Sequence, residues 1–119
     1  MVEPEDLFAG NPLGVEALKK VRSIVDGIGD VEVRTTKSQV TFRRKRGFAY
    51  LWPPGKYLAK PDVGVVLSIA LGRHDDSERW KEVVHPASRH WMHHLEVRRL
   101  EDLDEEVADW LIEAAERAG

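Results

Sequence analysis

The stretch that decides the fold is Val31-Glu32-Val33-Arg34-Thr35-Thr36-Lys37-Ser38-Gln39-Val40-Thr41-Phe42-Arg43-Arg44-Lys45-Arg46-Gly47-Phe48-Ala49-Tyr50-Leu51-Trp52. Its apolar residues recur with a period of two, the spacing of a strand with one buried face. Val31, Val33 and Thr35 alternate with Glu32, Arg34 and Thr36. Val40 and Phe42 resume the pattern after a turn near Lys37-Ser38. Gly47 breaks the run again and leaves Arg43, Arg44, Lys45 and Arg46 at or near a hairpin tip. Phe48, Tyr50 and Trp52 then share one side of a third strand, with Ala49 and Leu51 on the other. Pro53-Pro54-Gly55 ends it, because proline has no N–H for the ladder.

Downstream, Val63 to Leu71 is a β-branched apolar run bounded by glycines, as expected for a central strand buried on both faces. Gly72 to Arg89 reads as long and irregular, with a helical turn over 77–83 capped by Asp76 or Ser77. Trp91 to Val97 is a last strand. Trp91, His93, Leu95 and Val97 share one face, and Met92, His94 and Glu96 the other.

The two ends of the chain are helical. Pro4 to Ala9 predicts a short turn of helix. Asn11-Pro12 restarts one as N-cap and first helical residue, and Ala17, Leu18, Val21, Ile24, Val25 and Ile28 form its apolar stripe up to stop signals at Gly27 and Gly29. At the other end Asp102 or Asp104 caps a helix whose buried stripe is Val107, Trp110, Leu111, Ala114 and Ala115. The order is therefore α-β-β-β-β-β-α. The expected fold is α+β, with a single antiparallel, curved sheet of about five strands flanked by an N-terminal and a C-terminal helix. One domain is expected over 1–119: a helical part over 1–30, sheet over 31–98 and the closing helix over 101–118.

Composition bounds the function. A length of 119 residues fits one domain, and a hydrophobic fraction of 42% suffices for one core. The absence of cysteine removes disulfides, thiol catalysis and cysteine-ligated zinc. No window has the ~20 apolar residues of a membrane span. The acidic N-terminus lacks a signal-like apolar core. A cytoplasmic location is expected and no membrane partner. The net charge of −3 hides an asymmetry: every charged residue from Val33 to Pro61 is basic, and from Glu101 onward all but Arg117 are acidic.

The strings Lys37-Ser38-Gln39-Val40-Thr41-Phe42-Arg43-Arg44 and Gly47-Phe48-Ala49-Tyr50-Leu51-Trp52 resemble a small bacterial family catalogued as domain of unknown function 5655. So do Ser77-Glu78-Arg79-Trp80-Lys81-Glu82-Val83-Val84, His93-His94-Leu95 and Leu103-Asp104-Glu105-Glu106-Val107 with Trp110-Leu111. The resemblance covers nearly the whole chain. Ala115 departs from it, standing where an aromatic is expected. The resemblance implies a stand-alone or appended module and no particular reaction. The element order is also similar to frataxin-like α-β-α folds, a likeness of fold that does not fix function.

Four features carry candidate chemistry. The basic hairpin 43–46, interleaved with Phe42, Phe48, Tyr50 and Trp52, suits phosphate contacts and base stacking. The net negative charge and the simpler reading of the aromatics as core weigh against nucleic acid. His85, His90, His93 and His94 are metal-ligand types, but adjacent strand residues 93 and 94 point to opposite faces, so no metal site is assigned. The expected arrangement is a half-buried His93 and a working surface His94. His94 and Glu96 are i, i+2 neighbours with Arg98 beyond, a place for acid–base chemistry. No serine has a nucleophile motif around it: Ser38, Ser68, Ser77 and Ser88 stand without one. Trp80 and Trp91 read as core.

The expectation is a non-enzymatic ligand-binding or protein-interaction module. Its contacts would be Lys37, Arg43, Arg44, Trp52, Tyr57, Arg79 and His94, on the open sheet face or in a cleft under the 72–89 loop. An anionic small molecule or a protein is the expected partner. The alternatives are nucleic-acid binding through 43–46, and a small hydrolase or metal-dependent enzyme centred on His94. No catalytic residue and no cofactor is assigned. Edge strands and four tryptophans admit a homodimer.

Overall fold

A computed structural model describes residues 4–8, 10–54 and 64–119. A short helix α1 (Pro4–Leu7) and a long helix α2 (Pro12–Ile28) lead into six strands. These are β1 (Glu32–Thr35), β2 (Val40–Arg43), β3 (Gly47–Trp52), β4 (Val65–Leu71), β5 (Glu82–Ala87) and β6 (His90–Val97). A 3-10 turn (Leu100–Asp102) and helix α3 (Glu105–Ala118) close the chain. Every strand pairing is antiparallel, in the order β1-β2-β3-β4-β6-β5.

The helix signals act as read. Asn11 caps α2 by accepting the Gly14 N–H at 3.0 Å, and its amide also donates to the Gly64 carbonyl, tying the helix start to the entry of β4. Gly29 ends α2 in a left-handed conformation (φ 89°) that costs a residue without Cβ nothing. Asp104 caps α3 by accepting the Val107 N–H. Asp102 instead accepts from the Arg98 and Arg99 N–H groups, fixing the turn after β6.

Register sorts the sheet into two faces, because directly paired residues share a side. Phe42 faces Ala49, Ala49 faces Ile69 and Ile69 faces His93; Val40, Leu51, Leu67 and Leu95 form the next row. These rows join Ala17, Leu18, Val21 and Val25 of α2 and Val107, Trp110, Leu111, Ala114 and Ala115 of α3 in one core. The opposite face carries Thr41, Tyr50, Trp52, Val66, Ser68, Ala70, Met92, His94 and Glu96, and Val66 and Ala70 lie outside that core. Ala115 is fully buried, so an aromatic there would have to displace the packed sheet.

Several readings need correction. The sheet has six strands, since part of the 72–89 stretch forms the edge strand β5. No helix forms over 77–83: the Asp75 carboxylate accepts the Ser77 N–H and the Trp80 indole N–H and holds the segment as a loop. Phe48 parts from Tyr50 and Trp52: it is buried in the core, whereas Tyr50 and Trp52 are half-buried on the face opposite the helices, and Trp91, read as core, is half-buried outside it. His93 is fully buried.

Candidate functional site

Ser68 lies in the middle of β4, whose residues are buried throughout. Its partners across the ladder are Tyr50 on β3 and His94 on β6. Trp52, two residues along from Tyr50, donates its indole N–H to Ser68 Oγ at 2.9 Å, and the same Oγ lies 2.6 Å from His94 Nδ1. An indole only donates, so Ser68 accepts from it. The hydroxyl proton then needs an acceptor, since Ser68 is only 3% exposed. His94 Nδ1 supplies one, which leaves the imidazole proton on Nε2. Burial holds His94 below the ordinary histidine pKa, partly opposed by Glu82, so the ring is neutral near pH 7. Protonating Nδ1 would also orphan the serine hydroxyl.

This arrangement does not make Ser68 a nucleophile. Its oxygen is buried, is held by the Trp52 indole and His94, and fixes both rings. The ring pair is edge-on, 6.4 Å apart at 87°. Nε2 of His94 has no hydrogen-bond partner among the described residues.

A hollow of about 240 Å³ opens beside this pair, lined by Trp52, Val66, Lys81, Glu82, His94 and Glu96. A neighbouring one of about 330 Å³ shares Trp52 and His94 and adds Gln39, Tyr50, Ser68 and Met92. β5 sets the first hollow's far wall: Glu82 pairs with His94, and the Lys81 N–H donates to the His94 carbonyl at 2.8 Å. The Glu96 side chain is 6% exposed and accepts from Arg98 at 3.2 Å, while its Oε2 is buried without a partner among the described residues. Lys81, Glu82 and Ser68 are functional candidates that sequence reasoning missed. The signal for Ser68 was a lone hydroxyl inside an apolar run, which needs a partner once buried.

The other expected contacts lie elsewhere. Arg44 donates to the Gly29 carbonyl at 2.9 Å and the Ala115 carbonyl at 3.4 Å, so it holds the C-terminal ends of α2 and α3 together. Arg43, on the face opposite the helices and across from Glu32, lines a wider groove of about 530 Å³ with Asp30, Glu32, Arg44, Lys45 and Gly119. Two carboxylates and three cations line that groove. Lys37 is exposed in the β1–β2 turn. Tyr57 lies outside the described residues. Arg79 bonds both Asp104 carboxylate oxygens, Glu106 and the Asp102 carbonyl, with its guanidinium 5.8 Å from the Trp110 ring. It fastens the β4–β5 loop to the start of α3.

The histidines separate. His85 stacks on Trp91 at 3.5 Å, and His93 packs against Trp80 in the core, where its Nε2 accepts the Asp75 N–H at 3.0 Å. His94 faces the opposite side. No group of three or more potential metal ligands occurs among the described residues. No helix among them is long and apolar enough to cross a membrane.

The model of the family described as Domain of unknown function (DUF5655) matches residues 5–117. The chain belongs to that family. Neither a curated protein nor a solved structure matches it. The family match spans α2, all six strands and all but one terminal residue each of α1 and α3, so the His94 hollow falls wholly within it.

Proposed function

We propose that this chain is a non-enzymatic binding module whose ligand sits on the sheet face opposite the helices, in the hollow between Trp52, His94 and Glu96. The observation that carries this reading is the Trp52–Ser68–His94 chain of hydrogen bonds. It fixes two large side chains at the rim of a concave surface, and no other described group uses the free imidazole nitrogen. Preorganised aromatic and polar groups around an apolar floor are what a small-molecule site needs. A buried serine, and a histidine whose one free nitrogen carries the ring proton, favour holding a ligand over transforming it. The basic hairpin is the weaker alternative, because Arg44 is engaged at the helix ends.

Saturation-transfer NMR with a fragment set tests the reading. Fragments that bind the native chain should lose their signal with Trp52→Ala. Survival of every hit in that variant would remove the site.

A further inference from the structure

We propose that the His94 hollow takes a planar ligand bearing amidine-type N–H donors, the group shared by amidines, guanidines and aminopyrimidines; this rests on the binding reading above. The deciding atom is Glu96 Oε2. Its side chain is more than nine-tenths buried, its other oxygen accepts from Arg98, and Oε2 itself, closed to solvent until the side chain turns toward the hollow, has no partner among the described residues. A buried polar atom left without its hydrogen bond is unfavourable, and in a native structure it calls for an explanation. Because a carboxylate oxygen only accepts, the missing group is a donor.

The surroundings narrow the choice. Glu82 adds a second carboxylate to the wall, against Lys81 and the Nε2–H of His94 as donors. The lining thus sets two carboxylates against two donors, and the acceptor left unmet is Oε2 of Glu96. Val66, 2% exposed, contributes apolar surface, and the Trp52 indole stands at the rim. A flat ring suits that combination. An amidine-type group keeps its N–H bonds in the plane of such a ring, the geometry in which a carboxylate accepts two parallel bonds. The hollow of about 240 Å³ has room for one ring with a substituent.

Benzamidine and benzoate, which share a ring and differ in the hydrogen-bonding sense of the substituent, separate the possibilities by ¹H–¹⁵N NMR titration of the full chain. Benzamidine should shift the Trp52 indole N–H and the backbone N–H groups of residues 94–96 saturably. Glu96→Gln, which keeps the size of the side chain, should weaken that binding by about tenfold or more, the scale of one lost charged hydrogen bond. Glu96→Asp serves the same purpose should the first variant fail to fold. Benzoate should leave these signals in place. Benzamidine binding that is indifferent to both variants overturns the proposal, as does benzoate binding equally well. If benzoate or other fragments move the Trp52 and His94 signals while benzamidine does not, the ligand class is wrong and the binding site stands. If nothing moves them, both fall.

Discussion

Ser68 Oγ lies 2.6 Å from His94 Nδ1, a contact that joins β4 to β6 on the sheet face away from the helices. Because the same oxygen accepts the Trp52 indole N–H, one buried hydroxyl sets the orientation of both rings. The candidate site depends on this joint.

Ser68→Ala should therefore raise the His94 pKa toward the ordinary value of 6.5, since protonating Nδ1 no longer strands a hydroxyl. NMR titration of the His94 Cε1 proton measures this. Stability should fall by about 1 kcal/mol, the size of a typical lost hydrogen bond, because half-buried Trp52 and His94 can still reach water. An unchanged His94 titration would show that the serine does not set its protonation.

Acid should weaken the fold in a window set by His93 and His94. Burial lowers both pKa values from 6.5. The unfolded chain therefore takes up the proton at higher pH than the folded one. The stability held by the neutral rings is fully present above pH 6.5 and is lost as pH falls through the folded values. Urea midpoints should drop between pH 7 and pH 5, ahead of any loss from Asp75 and Asp104, whose pKa values lie below the usual 3.8. His93→Gln should flatten the dependence even though it lowers stability at pH 7. A midpoint constant across this window would contradict the buried, neutral His93.

Arg79→Lys should destabilise the chain by about 1–2 kcal/mol while leaving fragment binding at Trp52 intact. A lysine cannot reproduce a planar fork that meets Asp104, Glu106 and the Asp102 carbonyl together, and partial exposure of the carboxylates limits the loss. Thermal melts and the fragment titration check the two halves separately.

Arg44→Ala should likewise cost about 1–2 kcal/mol, because carbonyls at the ends of α2 and α3 lose a charged donor. Its melting temperature should fall well below that of Lys37→Ala, an exposed turn position. Equal stability of the two variants would return Arg44 to the group of free surface cations.

Much of the fold was legible because burial is one-sided where the sequence alternates. β2 and β6 each bury one row against the helices, so their buried residues recur every second position, and β3 departs from this at the register shift, where Phe48 and Ala49 are both buried. β5 was illegible for the converse reason. It lies at the sheet edge, only Val83 packs against the core, and Pro86 interrupts a sequence otherwise exposed from Val84 to Ala87. The clue was the short Ser88-Arg89 turn before His90, closed with Arg89 in a left-handed conformation. His94, Glu96 and Trp52 were visible as outward residues of regular strands. Lys81 and Glu82 entered the site only through β5. Arg44 and Arg79 could not be told from surface cations, since their partners are main-chain carbonyls and acidic groups distant in sequence.

Chemical-shift mapping of the fragments that bind tests the central claim most directly. The account predicts that their largest shifts fall on the Trp52 indole N–H and the backbone N–H groups of Ser68, His94 and Glu96. Shifts concentrated instead on the hairpin 43–46, or on the helices, would contradict it.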